Sequence, residues 1–150
     1  MDENTAGNFG ASSIFSYNRF GVAGSDKPMV SQDGLNIVNT LREALTSVGF
    51  EPPFLLVGHS LGGLYANLYA RLYPNEVAGL VFLESSTTKD ISLNDYQAKA
   101  VKTINKMFKV FDSLSSHKQF SEVNFVEKTI NQIHLTDTFP EIPVLVITGG

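Results

Sequence analysis

The fold of this 150-residue chain is decided by the stretch Phe54-Leu55-Leu56-Val57-Gly58-His59-Ser60-Leu61-Gly62-Gly63-Leu64. Its first four residues form a continuous apolar run after two prolines, which is typical of a strand buried on both faces. From Leu64 to about Tyr73 the apolar residues follow a helical period. A strand, a sharp turn and a helix in this order predict that Ser60 lies at the tip of the turn, above the carboxyl end of the strand.

Further strands are predicted on both sides of this stretch. Ser13–Tyr17 alternates between polar and apolar residues, whereas residues 1–12 carry no period and are expected to form a loose lead-in. Ala78–Leu83 and Pro143–Thr148 are continuous apolar runs of the buried-strand type. Strands that alternate with helices in this way predict an α/β fold, with a mostly parallel sheet flanked by helices.

The predicted helices fall into two groups. One helix is expected between a capping hydroxyl at Ser31 and a stop at Gly49. Its apolar stripe consists of Leu35, Val38, Leu41, Leu45 and Val48. Residues 87–140 carry two further helical stripes and no strand pattern; the stripes are Val101, Ile104, Phe108 and Phe111, then Phe120, Val123, Val126, Ile130 and Ile133. We therefore expect a core of residues 1–86 and 141–150, with 87–140 inserted as a helical cap.

The composition excludes several classes of function. The chain has 11 Lys and Arg against 15 Asp and Glu, a net charge of −4, and no basic block that suits a nucleic acid or an anionic membrane. It contains no cysteine, which excludes disulfides and thiolate chemistry. No apolar run is long enough to span a membrane. No basic segment leads into an apolar one at the start, so the cytoplasm is the favoured compartment, and the oligomeric state is left open.

The turn contains the pattern Gly-x-Ser-x-Gly at Gly58, Ser60 and Gly62. A serine at the tip of a strand-to-helix turn needs a strained backbone, and we expect both glycines to remove collisions that side chains would cause there. The amide of Leu61, at the helix N-terminus, is expected to point into the same space and to stabilise a developing oxyanion. The alternative is a structural turn whose serine merely caps the helix.

Three segments of the chain, Ser16–Pro28, Glu51–Ser86 and Pro140–Gly150, closely resemble the α/β-hydrolase superfamily in its esterase and lipase-like branch. The resemblance implies that Ser60 is the nucleophile and that the Leu61 amide is an oxyanion donor. It also implies that a small-molecule, ester-like substrate is cleaved through an acyl-enzyme, and it implies neither a cofactor nor a metal.

The chain also departs from the family pattern. Asn18 stands where the family has an aspartate, and residues 1–12 hold no match to the strand that ends in His-Gly and supplies the second oxyanion donor. The acid and the histidine of the catalytic triad normally follow the strand that ends here at Gly150. We therefore expect a fragment of a larger enzyme with little or no turnover of its own. Without the His-Gly strand, the strand before Ser60 is expected to have an unpaired, apolar edge.

Residues inside the chain offer weaker substitutes for these groups. Glu84 ends a predicted strand, where some relatives place the acid, although a solvated strand-end carboxylate is the plainer explanation. His117 and His134 lie in or beside the predicted cap helices, and His59 is expected to point away from Ser60 as a packing residue. If no base is supplied, the alternative function is a non-catalytic binding or interaction protein that retains the turn.

Overall fold

The computed structural model describes residues 5–9, 12–21, 24–88 and 122–149. Within these ranges the strands are β1 Thr5–Phe9, β2 Ser12–Ser16, β3 Phe54–His59, β4 Val77–Leu83 and β5 Val144–Ile147. The helices are α1 Gly34–Ser47, α2 Gly62–Leu72 and α3 Val126–Leu135, with short 3-10 helices at Pro74–Glu76 and Glu122–Phe125. The first predicted cap stripe, from Val101 to Phe111, lies outside the described residues.

The described strands form two separate sheets. In the main sheet β3, β4 and β5 are parallel and lie in that order, so that Leu56, Leu80 and Val144 are neighbours across it. β2 does not join them but pairs antiparallel with β1. The expectation that residues 1–12 form a loose lead-in is therefore wrong for β1. Its backbone hydrogen bonds to β2 need no apolar period, so the sequence pattern does not reveal them.

α1 begins with Asp33 as its N-cap residue, not with Ser31 as expected. The Asp33 carboxylate accepts the N–H of Asn36 at 3.4 Å. The Ser31 hydroxyl donates to the same carboxylate at 2.7 Å, so that it supports the cap residue instead of replacing it. A carboxylate accepts more than one hydrogen bond, and this lets Asp33 serve both groups.

The described helices lie on one face of β3 and β4, but all four residues of β5 are exposed, so the buried strand expected at Pro143–Thr148 is not buried among the described residues. α2 contacts β3 and β4 and also lies against α1 and α3. Its residues Leu68, Tyr69 and Ala70 are fully buried at the centre of the hydrophobic core. α3 packs against α1 and α2 although it falls within 87–140. The division of the chain into a core and a cap stays a prediction, because residues 89–121 lie outside the described ranges.

The other face of the main sheet is not covered by any part of the chain that the structure describes. Leu55 and Val57 of β3 are 64% and 60% exposed, and Leu145 and Ile147 of β5 are 55% and 48% exposed. β3 was expected to be buried on both faces but is buried on one, because successive side chains point to opposite faces and the helices contact only one set. Among the described strands β3 has a neighbour on one side only, which confirms the expected unpaired edge before Ser60.

Side chains of α3 form hydrogen bonds with the residues at the N-terminus of α1. The Gly34 N–H donates to Thr129 Oγ1 at 2.8 Å. Asp33, which is 2% exposed, accepts from Gln132 Nε2 at 2.9 Å and from Lys128 Nζ at 2.7 Å. The first N–H groups of a helix have no partner within the helix, so these contacts pair groups that burial would otherwise leave unsatisfied.

Acid should weaken this joint between α1 and α3. Burial alone would raise the pKa of Asp33, but hydrogen bonds from Gln132 and Lys128 lower it from 3.8 to about 2. Because the folded-state pKa lies below the unfolded one, the stabilisation is complete above about pH 4 and is lost as the pH falls toward 2. We expect about 2 kcal/mol of the free energy of unfolding to disappear over this range, and Asp33→Asn to remove this part of the pH dependence.

Urea unfolding followed by circular dichroism at several pH values measures the effect. Asp137→Asn is the control, since Asp137 is exposed and caps no helix. The prediction fails if Asp33→Asn has the same pH dependence as the unmodified chain.

Candidate active site

Ser60 lies in the turn between β3 and α2, at the carboxyl end of the main sheet. Its φ is 54°, in the left-handed region, where a residue other than glycine costs about 1–3 kcal/mol. The Ser60 N–H donates to Leu83 O at 3.3 Å. The Ser60 carbonyl accepts the N–H of Gly63 at 3.1 Å and the N–H of Ser86 at 3.0 Å. The strand, turn and helix expected from the sequence are thus present, with the serine at the tip.

Two glycines of the turn are required by close contacts, but they are not the two expected. A Cβ at Gly58 would lie 2.8 Å from the carbonyl oxygen of Gly62 and 2.9 Å from Gly63 Cα. A Cβ at Gly62 would meet no atom within 4 Å, so this glycine relieves no collision. A Cβ at Gly63 would overlap Ser85, whose Oγ would be 2.7 Å away. The second steric requirement therefore falls on Gly63, because its Cα faces the chain that follows β4.

The turn places the Leu61 N–H at the start of α2. Leu61 is the N-cap residue of this helix and is 5% exposed. The hydrogen bonds that close the turn use the N–H groups of Ser60, Gly63 and Leu64, and that of Leu61 is not among them. Since a helix N-terminus carries partial positive charge, this amide can stabilise negative charge beside Ser60. The alternative in which Ser60 is merely the helix cap is not supported, because Leu61 occupies that position.

Glu84 directly follows β4 and also has a positive φ, of 42°. Its N–H donates to Ile147 O at 2.9 Å. A Cβ at Gly149 would collide with Glu84 Oε1, so the carboxylate is directed toward the end of β5. Ser60 follows β3, on the other side of β4. Glu84 and Ser60 therefore share the carboxyl end of the sheet, with the Glu84 carboxylate turned away from β3.

Two histidines lie in the described residues, and one of them, His59, directly precedes Ser60. His59 is exposed at the end of β3, so the expectation that it is a packing residue is wrong. His134 is exposed in the last turn of α3. Three residues later the Asp137 carbonyl accepts from Arg71 Nη1 at 2.7 Å, which places this part of the chain at the C-terminal end of α2, whereas Ser60 precedes the N-terminal end. His117 lies outside the described residues.

A buried ion pair next to α2 was not found from the sequence. Arg19 donates to both carboxylate oxygens of Glu122, at 2.7 and 2.8 Å, and Glu122 is 5% exposed. The Tyr65 hydroxyl donates to the same carboxylate at 3.4 Å, and the Arg19 guanidinium lies 5.4 Å from the centre of the Tyr65 ring. Burial raises the pKa of the neighbouring Tyr17 to about 12. The only sign in the sequence is an arginine in a loop, and nothing in its spacing indicates a partner 103 residues away.

Within the described ranges, no group of three or more His, Cys, Asp or Glu is arranged to hold a metal ion. Among the helices in those ranges, none is both long and apolar enough to cross a membrane.

The sequence and the fold were compared with known proteins. Residues 12–122 match the sequence model of the α/β hydrolase fold family. The uncharacterized protein YqjL of Bacillus subtilis (strain 168) is 25% identical over 137 residues, which are 91% of this chain and 51% of YqjL. The chain spans between a tenth and about half of the length of such curated relatives.

Two solved structures illustrate the similarity in fold. The epoxide hydrolase CorEH has a TM-score of 0.62 and 18% identity, with 93% of this chain and 66% of CorEH covered. The monoacylglycerol lipase of Paleococcus ferrophilus has a TM-score of 0.57 and 20% identity, with 91% of this chain and 62% of the lipase covered. At these identities the likeness shows the fold alone. Since the family's sequence model matches well over half of the residues, the chain belongs to the α/β hydrolase fold family.

Proposed function

We propose that this chain carries the nucleophile of a serine hydrolase that cleaves carboxylic-ester bonds in small molecules. The observation that carries the proposal is Ser60, held at a φ of 54° at the tip of the turn between β3 and α2. Ligands of open α/β sheets bind outside the carboxyl ends of the strands, which is where this serine lies. A monoacylglycerol lipase is among the solved structures of similar fold, and this supports esters as the substrate class.

In the proposed reaction, Ser60 Oγ attacks the carbonyl carbon of the ester and gives its proton to a base. The Leu61 N–H donates to the oxyanion that forms. Collapse of this intermediate breaks the ester C–O bond, the alcohol leaves with the proton, and the acyl group remains on Ser60. Water then attacks the acyl carbon, the carboxylic acid is released, and Ser60 regains its proton.

The base is proposed to come from outside the described residues. Successive side chains of an extended chain point to opposite sides, which directs His59 away from Ser60, and His134 lies toward the C-terminal end of α2. Glu84 is the carboxylate that we propose for the acid within this chain. Its position near Gly149 suits it to orient a histidine that approaches from the β5 side. Without such a base, only a small residual acceleration would remain.

A fluorophosphonate probe, which reacts with activated serines, tests this proposal. We expect a single label per folded chain by intact mass, and we expect Ser60→Ala to abolish it, because the probe needs a serine held in the turn. The control is Ser47→Ala, at the exposed end of α1, which should label like the unmodified chain.

A folded chain that takes no label would contradict the proposal. That result would favour the second candidate, a non-catalytic binding protein that retains the turn, which is consistent with the position of His134 toward the end of α2 that is far from Ser60.

A further inference from the structure

The end of β4 and the residues that follow it form hydrogen bonds with the backbone of the turn at Ser60. Leu83 O accepts the Ser60 N–H at 3.3 Å, and the Ser86 N–H donates to Ser60 O at 3.0 Å. Between these two contacts, the Ser85 hydroxyl donates to the carbonyl of Gly58 at 2.6 Å. The backbone of the turn is therefore hydrogen-bonded to the end of β4 and to the residues after it, both before the serine, at Gly58, and at Ser60 itself.

The Ser85 contact differs from the other two because a side chain makes it. β4 ends at Leu83, so its ladder of backbone hydrogen bonds to β3 stops there. The Ser85 hydroxyl extends the pairing by one more hydrogen bond, to a carbonyl two residues before Ser60. Its Cβ and Oγ also touch the space above Gly63, where an added Cβ would overlap them. Ser85 thus contacts the strand side and the helix side of the turn at once.

Backbone strain is concentrated at the same two chain segments. Ser60 and Glu84 have φ values of 54° and 42°, and they are the non-glycine residues with positive φ in the described ranges. Strained residues persist only where surrounding contacts hold them. The positive φ of Glu84 turns the chain after β4, and the residue that follows it is Ser85, whose hydroxyl bonds to the turn.

We infer that Ser85 is a positioning residue for the proposed nucleophile, which it holds in place through the Gly58 carbonyl and the Gly63 backbone. This inference rests on the proposed function of Ser60. Without the Ser85 hydroxyl, the strand side of the turn loses a 2.6 Å hydrogen bond, and the Ser60 side chain samples orientations other than the reactive one.

The test is the rate of fluorophosphonate labelling at Ser60 in Ser85→Ala, measured over a range of probe concentrations. We expect the maximal labelling rate to fall at least about tenfold, with an unchanged half-saturating concentration and an unchanged final amount of label. The final amount counts folded molecules, whereas the rate reports the position of the serine. Ser85→Thr keeps a hydroxyl and should restore the rate to within about threefold.

Ser47→Ala is the matched control, because the Ser47 hydroxyl also donates to a backbone carbonyl, that of Ala44 at 2.8 Å, but far from the turn. Equal labelling rates in Ser85→Ala and Ser47→Ala would overturn the inference. A reduced amount of label with an unchanged rate would also overturn it, since that result describes a structural role only. If Ser85→Ala does not fold, Ser85→Cys replaces it in the test, because a thiol fills similar space but is a weak hydrogen-bond donor. The labelling rate at Ser60 must then fall at least about threefold in Ser85→Cys.

If the unmodified chain takes no label, the proposed function fails, and the inference is then judged by amide hydrogen exchange. The Ser60 N–H should exchange at least about tenfold faster in Ser85→Ala than in the unmodified chain, with no change in Ser47→Ala. Unchanged exchange at Ser60 would overturn the positioning role independently of any catalysis.

Discussion

Gly58→Ala should lower the free energy of unfolding by about 3 kcal/mol, whereas Gly62→Ala should leave it unchanged or raise it by up to about 1 kcal/mol. An alanine Cβ at Gly58 would lie 2.8 Å from the Gly62 carbonyl oxygen, and a backbone atom cannot rotate away as a side chain can. At Gly62 the added Cβ meets nothing within 4 Å, and the position is helical, where alanine is preferred to glycine. Urea unfolding of the two variants measures the contrast.

Gly63→Ala is a related test, in which the added Cβ would collide with a side chain, that of Ser85, and a second substitution can remove this side chain. Its Cβ would overlap Ser85, so we expect a loss of about 2 kcal/mol. Ser85→Gly in the same chain should return part of that loss, which a double-mutant cycle measures. Equal costs for alanine at Gly58 and at Gly62 would contradict the contacts described for the turn.

Glu122→Gln should lower the free energy of unfolding by about 3 kcal/mol. The change leaves the Arg19 guanidinium without its counter-charge, and the side chains of the pair are only 26% and 6% exposed. Burial alone would lower the pKa of Arg19, but the hydrogen bonds and the charge of Glu122 raise it, so Arg19 stays charged. Urea unfolding at neutral pH measures the loss.

Glu76→Gln is the matched control for Glu122→Gln. Glu76 pairs with Arg42 at 2.7 Å, but the Arg42 and Glu76 side chains are 47% and 20% exposed. An exposed ion pair contributes little, and glutamine can still accept the Tyr69 hydroxyl, which donates to Glu76 at 2.8 Å. We therefore expect a smaller loss than for Glu122→Gln, and high salt should reduce it further. Similar costs for the two glutamates, or a strong salt dependence at Glu122, would contradict the description of a buried pair.

The turn at Ser60 is predictable from the sequence because everything that defines it is local. An apolar strand, a short turn and a helix follow one another within 54–72, and the same order on either side predicts the parallel sheet. The helix cap is a harder case. Ser31 and Asp33 are both residue types that suit an N-cap. In the structure the cap is Asp33, whose carboxylate accepts hydrogen bonds from Lys128 and Gln132, and no local pattern in the sequence indicates these contacts.

The parts of the site that the sequence does not predict depend on contacts between distant segments. Ser85 reaches the Gly58 carbonyl across 27 residues, and Arg19 reaches Glu122 across 103. The sequence also does not distinguish Gly62, the last glycine of the motif, from Gly63 next to it. Only the position of Ser85 shows that Gly63 is the one that lacks room for a side chain. A continuous apolar run such as Phe54–Val57 likewise gives no sign of which face stays uncovered.

The joint between α1 and α3 also has a consequence for the order of folding. The Gly34 N–H bonds to Thr129 across 95 residues, and the Asp33 carboxylate bonds to Gln132 across 99. During synthesis α1 therefore leaves the ribosome long before the side chains that complete its N-terminus exist. Until α3 is synthesised, the N–H groups at the start of α1 can form hydrogen bonds only with Asp33 and with water. α1 therefore gains its final stability only when α3 packs against it. The first helix of the described chain is thus among the last of its elements to be completed.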